Sequence, residues 1–195
     1  AALGAIAGKH NLVVIEDAAQ ALGSRFRGQC AGTFGSAGVI SFFPAKLLGC
    51  LGDGGAVITN DGGVAERVLA LHDHGRDASG EVTGWGLNSR LDNLQAAILD
   101  FRLARYRAVI ERRRSIAAAY HERLCGVADV VLPPGPDKNS SRFSSDFSEH
   151  YDVYQNYEIE ADRRDDLRAH LEARGIGTLV QWGGKAVHQF QALGL

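Results

Sequence analysis

Methionine is absent from all 195 residues. The chain opens instead on Ala1-Ala2-Leu3-Gly4-Ala5-Ile6-Ala7, which reads as the middle of an amphipathic helix leading into Lys9-His10, so the chain is expected to be a fragment of a longer protein. Cysteine is scarce: Cys30, Cys50 and Cys125 are odd in number and lack C-x-x-C spacing, which argues against a disulfide framework or a zinc site and fits a reducing cytoplasm. No sign of charge dominates, with 21 Lys and Arg against 23 Asp and Glu for a net charge of -2, so there is no basic surplus for nucleic acid. Arg102, Arg105, Arg107, Arg112, Arg113 and Arg114 do cluster, but on a helical pattern with the apolar stripe Leu91, Leu94, Ile98, Phe101; a solvated face or a subunit contact is expected. No run of about 18 apolar residues is present to cross a membrane, and no charged segment precedes an apolar core in the secretory manner. Finally, no G-x-G-x-x-G follows a strand, and Gly52-Asp53-Gly54-Gly55 has the wrong spacing for one, which sets aside a nicotinamide-binding domain.

What is there is an alternation of short apolar runs with helical patterns from Leu12 to about Arg114, the signature of a doubly wound α/β domain. Strands are predicted near 12–16, 38–43 and 55–59, a helix over Val64 to His74, and one long or broken helix from Leu91 to Leu124. Pro133-Pro134-Gly135-Pro136 ends regular structure, and the serine-rich stretch from Asp137 to Glu149 reads as a mobile loop. Beyond it, Tyr151 to Ile159 reads as a strand, Ala161 to Arg174 as a helix stopped by Gly175, and Thr178 to Trp182 as a further strand. The division that follows is a large α/β domain over residues 1–114, with a linker helix and a small α+β domain over 115–195.

The chemistry concentrates around Ser41-Phe42-Phe43-Pro44-Ala45-Lys46. A lysine amine free in water has a pKa of about 10.4, so covalent work by such a group requires a special setting. Lys46 follows the apolar run Val39 to Phe43 and precedes a glycine cluster that lets backbone approach a planar ligand. Asp17 ends the apolar strand Leu12-Val13-Val14-Ile15, and ligands of open α/β sheets collect at the carboxyl ends of strands. A carboxylate there could keep the ring nitrogen of a pyridoxal phosphate protonated, which the ring needs to act as an electron sink. Taken singly, each residue has a plainer reading: Lys46 a surface charge, Asp17 a helix N-cap, Ser41 a small strand residue, Asn88 a turn residue beside Gly86. The pairing of Asp17 with Lys46 favours the cofactor.

Four motifs then occur in one order: Val14-Ile15-Glu16-Asp17-Ala18-Ala19-Gln20, the Ser-Phe-x-Pro-x-Lys run ending at Lys46, Gly52-Asp53-Gly54-Gly55, and Gly86-Leu87-Asn88-Ser89-Arg90-Leu91-Asp92-Asn93-Leu94-Gln95-Ala96-Ala97. Together they resemble the DegT/StrS sugar aminotransferases, and the likeness extends through Arg163-Arg164-Asp165-Asp166-Leu167. The resemblance implies a fold-type-I enzyme dependent on pyridoxal 5'-phosphate that aminates keto-sugars carried on a nucleotide, with glutamate as donor. By the same resemblance, Lys46 would hold the cofactor covalently and move protons, Asp17 would hold the pyridinium, Gln20 would contact the phenolic oxygen, and Ser41 the phosphate. Asn88 would reach the phosphate from a neighbouring subunit, so that a homodimer with shared active sites is implied. Relatives that dehydrate the sugar resemble a version with histidine at the lysine position, where this chain has Lys46. A non-catalytic or regulatory protein on the same fold is the alternative from another class.

The last motif, Thr178-Leu179-Val180-Gln181-Trp182-Gly183-Gly184-Lys185-Ala186-Val187-His188-Gln189, departs from the His-Tyr-Pro of many family members. Together with Asp152-Val153-Tyr154-Gln155-Asn156-Tyr157 it resembles the branch that aminates carbon 4 of dTDP-4-keto-6-deoxyglucose, and a member acting on a 3-keto sugar is the alternative. Lys185 and His188 are candidates for sugar hydroxyls or diphosphate, because a cationic amine is a natural phosphate partner; His188 packed beside Phe190 is the plainer reading.

Overall fold

The structure is a computed structural model and describes residues 2–136 and 149–194. In chain order the first elements are α1 (Ala2–Lys9), β1 (Ile15–Asp17), β2 (Arg25–Phe26), β3 (Gln29–Cys30), β4 (Ala37–Ser41), β5 (Gly55–Ile58) and α2 (Gly62–His72). There follow α3 (Asn93–Leu103), α4 (Tyr106–Leu124), β6 (Val130–Val131), β7 (His150–Tyr151), β8 (Glu160–Ala161) and α5 (Arg164–Glu172).

Strand β4 is the central strand of a three-stranded sheet, between β1 and β5. Its sequence, Ala-Gly-Val-Ile-Ser, is small or β-branched throughout, which suits a strand covered on both faces. It pairs in parallel with β1 on one side, Asp17 opposite Val39, and antiparallel with β5 on the other, Gly55 opposite Ser41. At Gly38 only glycine fits, since a Cβ would run into the backbone of Gly32. Strand β1 is shorter than the sequence predicts: Leu12 N–H is taken by the Ala7 carbonyl at the end of α1 (2.8 Å), and Leu12 and Val13 stay exposed beside the sheet.

Helix α2 starts where Asp61 accepts from the N–H groups of Gly63 and Val64 (2.8 and 3.1 Å), a side-chain N-cap. The long helical pattern resolves into α3 and α4, broken at Ala104–Arg105 with no proline or glycine to cause it. Tertiary hydrogen bonds accompany the break. The Tyr106 hydroxyl donates to the Leu22 carbonyl (2.7 Å), and Arg102 donates to the Gly49 carbonyl. The core beneath them joins Leu48, Cys50 and Leu99, with Leu22, Phe42 and Tyr106 packed against it.

Several arginines of the cluster are tied down, against the expectation of a solvated face. Arg113 donates to the carbonyls of Tyr154 (3.2 Å) and Gln155 (2.9 Å), and Arg114 to those of Asp152 (2.6 Å) and Pro136 (3.1 Å). The guanidinium forks satisfy loop carbonyls that no strand neighbour reaches. Arg107, paired with Glu111 at 3.0 Å, does lie exposed.

The second half departs most from its predicted strands. Of Tyr151 to Ile159 only Tyr151 joins a ladder, where β7 pairs with β2; Val153 and Tyr154 then turn inward and are buried. Residues Gln181–Gly184 form a tight turn in place of a strand, with Trp182 at φ 52° and Gly183 at φ 64°, a left-handed path incompatible with a ladder. Helix α5 is predicted correctly in kind, and β6 pairs antiparallel with β8 beside it. The predicted loop at 137–149 lies outside the described residues except for Glu149. Among the described residues no helix is long and apolar enough to cross a membrane.

Candidate active site at the strand ends

Because β1 and β4 are neighbours and parallel, Asp17 and Ser41 leave the sheet at the same edge. Side chains alternate along a strand, so Asp17, its partner Val39 and Ser41, two residues on, share one face. The Ser41 hydroxyl oxygen accepts from Phe43 N–H (3.2 Å), which leaves its own O–H to donate outward. Asp17 accepts from Ala19 N–H (3.1 Å), a local turn and not the start of a helix, since residues 18–24 form turns.

Glu16, one residue earlier, points to the opposite face and does different work. Its carboxylate accepts from the backbone N–H groups of Gly32 (2.9 Å), Phe34 and Gly35 (2.8 Å), anchoring the 32–35 loop under the sheet. Two adjacent carboxylates are thus divided by the pleat: one saturated by structure, the other free of any ion pair among the described residues.

Lys46 lies in the loop that joins β4 to β5 and is half-buried. The ends of that loop are closed by Phe42 N–H to the Gly54 carbonyl (2.7 Å) and Cys50 N–H to the Phe42 carbonyl (2.8 Å). The buried Cys50 thiol sits at 3.0 Å from both the Phe42 and the Gly52 carbonyl oxygens, so this cysteine fills space inside the loop. Lys46 N–H bonds the Phe43 carbonyl (2.8 Å), and the Lys46 amine has no ion-pair partner among the described residues. Gln20 reaches the same neighbourhood: its Oε1 accepts from Asn156 Nδ2 at 3.3 Å.

Two contributors stand in the Asp152–Tyr157 motif, but their contacts escape sequence reasoning. Gln155 accepts from Leu47 N–H (3.0 Å) and donates to the Ala45 carbonyl (2.9 Å), and Asn156 holds Gln20. Both sit more than 100 residues from what they touch, and nothing in local spacing signals the contact. Nearby, burial pushes the Tyr106 hydroxyl up to about 12, opposed by the Arg113 guanidinium, so it remains the donor to Leu22.

The other predicted residues lie apart. Asn88 belongs to the turns between α2 and α3, bridged to Asp73, and its Oδ1 accepts from Arg90 (3.0 Å), which also pairs with Asp73 (3.1 Å). Arginine only donates, so Asn88 offers its Nδ2 outward as a donor. Lys185 and His188 are exposed in a run of short turns at 181–193, with the Lys185 amine 5.9 Å from the centre of the Phe190 ring. No hydrogen bond among the described residues carries either one to the strand ends.

An aldehyde-bearing pyridine phosphate fits the groups at that edge: an amine and a carboxylate that form no ion pair among the described residues, and an outward hydroxyl, on one sheet face and its loop. The family model for DegT/DnrJ/EryC1/StrS aminotransferases matches residues 1–193. The chain is 42% identical over 182 residues to a "Pleiotropic regulatory protein" of Geobacillus stearothermophilus, covering 93% of this chain and 46% of that protein. It is 41% identical over 182 residues to the dTDP-3-amino-3,4,6-trideoxy-alpha-D-glucose transaminase of Streptomyces venezuelae, covering 93% and 45%. Among solved structures, S. venezuelae DesV in complex with a ketimine intermediate superposes with a TM-score of 0.86 at 39% identity, over 99% of this chain and 49% of that one. The chain therefore spans about half the length of the relatives it matches.

Proposed function

Because the chain belongs to the DegT/DnrJ/EryC1/StrS aminotransferase family, we propose that its parent protein transfers an amino group from glutamate to a nucleotide-linked keto-deoxysugar, with pyridoxal 5'-phosphate carried on Lys46. The observation that supports this reading is the common edge: Asp17 and Ser41 on one face at the carboxyl ends of adjacent parallel strands, with Lys46 in the loop that leaves the second of them.

Pyridoxal phosphate supplies an aldehyde to which amines attach and a ring that draws electrons from the adjacent carbon. The chain's own residues do the rest. Lys46 Nζ would hold the cofactor and, as a free amine, would take the proton from the donor's α carbon. The Asp17 carboxylate would keep the ring nitrogen protonated, Gln20 would contact the phenolic oxygen, and the Ser41 O–H would donate to the phosphate. Over both halves the books balance in atoms: glutamate leaves as 2-oxoglutarate, the sugar's carbonyl oxygen is replaced by the amine, and the water taken up in one half is released in the other.

Asn88, with its Nδ2 turned outward by Arg90, would complete the phosphate site of a second copy, which makes the active unit a homodimer. On substrate, the reading starts from dTDP-4-keto-6-deoxyglucose; the S. venezuelae relative favours a 3-keto sugar as the second candidate. Lys185 and His188 are proposed to meet the sugar or its diphosphate.

The test is the purified full-length parent, incubated with pyridoxal phosphate, glutamate and each keto-sugar in turn, beside Lys46→Ala. The reading expects 2-oxoglutarate and an aminosugar in equal amounts from one of the sugars, and neither from the variant. Aminosugar formed equally well by Lys46→Ala would sink it. A folded parent that transfers nothing would favour the regulatory reading, which the name of the G. stearothermophilus relative suggests.

A further inference from the structure

The side-chain amide of Gln155 spans the two peptide groups that flank Lys46. Its Oε1 accepts from Leu47 N–H at 3.0 Å and its Nε2 donates to the Ala45 carbonyl at 2.9 Å. A donor and an acceptor facing the N–H and C=O on either side of one residue is the pairing a neighbouring strand would provide. Lys46 stands in a loop with no such neighbour, and one distant side chain replaces it.

Gln155 is itself fixed. Arg113 of α4 donates to its carbonyl (2.9 Å) and to that of Tyr154 (3.2 Å), while Val153 and Tyr154 are buried beside it and the Tyr154 hydroxyl donates to Pro134 (2.7 Å). The next residue, Asn156, donates to Gln20 Oε1 at 3.3 Å. A short segment from the second half of the chain therefore grips both the lysine loop and Gln20.

Resting on the reading of Lys46 as the cofactor-bearing amine, we propose that Gln155 is a positioning residue: its amide clamps the Lys46 peptide and sets the amine where the cofactor's aldehyde arrives. The energetics separate this from a merely structural role. Gln155 and Leu47 are partly exposed and Ala45 is exposed, so water can take over the broken hydrogen bonds and stability falls little. What is lost is order. A released loop lowers the effective concentration of the amine at the aldehyde, where correct placement counts for orders of magnitude.

The experiment uses the full-length protein with Gln155→Met, which keeps length without an amide, and Gln155→Glu, which still accepts from Leu47 but cannot donate to Ala45. Hydrogen exchange at the Leu47 amide is followed in the cofactor-free protein. Borohydride-fixed pyridoxal phosphate on Lys46 is then titrated against cofactor concentration. We expect Leu47 exchange about tenfold faster in Gln155→Met and near wild type in Gln155→Glu, since one ordinary hydrogen bond is at stake. Half-occupancy should require about tenfold more pyridoxal phosphate in Gln155→Met and an intermediate amount in Gln155→Glu, with melting temperatures close to wild type. Unchanged Leu47 exchange in both variants, or faster exchange with unchanged occupancy, overturns the proposal. So does cofactor loss that merely tracks a lowered melting temperature. Should Gln155→Met fail to fold, Gln155→Glu alone decides: wild-type occupancy there overturns the clamp. A wild-type parent that forms no adduct on Lys46 removes the underlying reading as well, and is thereby told apart from a failure of Gln155 alone.

Discussion

The lysine loop and the 181–193 segment make an instructive pair. Both are irregular backbone carrying a lysine proposed for function. The first is held by residues far along the chain, through Gln155 at Ala45 and Leu47, Gln95 at Leu51 (2.8 Å) and Arg102 at Gly49. The second is held by its own neighbours: Lys185 N–H to the Trp182 carbonyl, Ala186 N–H to Gln189 Oε1, Phe190 N–H to the Val187 carbonyl. Long-range hydrogen bonds restrain a loop against the body of the fold, and a group that must meet a cofactor in one geometry gains from that restraint. Among the described residues the 181–193 segment forms only local hydrogen bonds, and its lysine is proposed to meet the substrate and not to do the chemistry.

The strongest way to break this comparison is to remove the two lysines. Lys46→Ala is expected to lower amino transfer by at least about a thousandfold with little change in melting temperature. An equal loss from Lys185→Ala, measured in the same assay, would erase the distinction between the regions.

The neighbouring carboxylates sharpen it next. Asp17→Ala should fold normally and lose on the order of a hundredfold or more in turnover, because the ring nitrogen is no longer held protonated. Glu16→Ala should destabilise by about 3 kcal/mol, since three backbone N–H groups lose a charged acceptor. Denaturant melts and steady-state rates on both variants check the division; a swap of the two phenotypes would contradict the face assignment.

A smaller effect is expected under the lysine loop. Tyr106→Phe removes the hydroxyl bonded to Leu22 and should cost about 1 kcal/mol. Burial raises the folded-state pKa of Tyr106 from the usual 10 to about 12, so its stabilisation is complete below about pH 10 and fades as pH climbs towards 12. Melts from pH 8 to 12 should show a steeper alkaline decline in the native protein than in the variant. Last, Lys185→Ala and His188→Ala should leave stability within about 0.5 kcal/mol, being exposed. Their effect should fall on KM for the nucleotide sugar, with kcat nearly constant.

Much of this was legible in the residues, and the boundary is physical. The apolar run Val39 to Phe43 reads as a buried strand and overlaps β4, Val64 to His74 reads as a helix and overlaps α2, and Asp17 and Lys46, each placed after an apolar run, do stand at a strand end and in the loop beyond one. The second half was not legible to the same degree. Tyr151 to Ile159 has the composition of a strand, yet Val153 and Tyr154 are drawn inward and Arg113 and Arg114 take the carbonyls a ladder would have used. Thr178 to Trp182 has the composition of a strand, but Trp182 and Gly183 adopt left-handed angles. Glu16 and Gln155 stand in motifs that the sequence displays, but what they hold was not legible for another reason: a side chain's partner more than a dozen residues away leaves no trace in local pattern.

The central claim, that the strand-end site works through Lys46, is tested most directly by the visible spectrum of the full-length parent with pyridoxal phosphate, before and after borohydride, followed by peptide mass mapping. The account predicts an absorbance band that borohydride abolishes, with the reduced cofactor found on the peptide containing Lys46 and absent from Lys46→Ala. A folded parent with no such band, or with the cofactor fixed on another lysine, would contradict it.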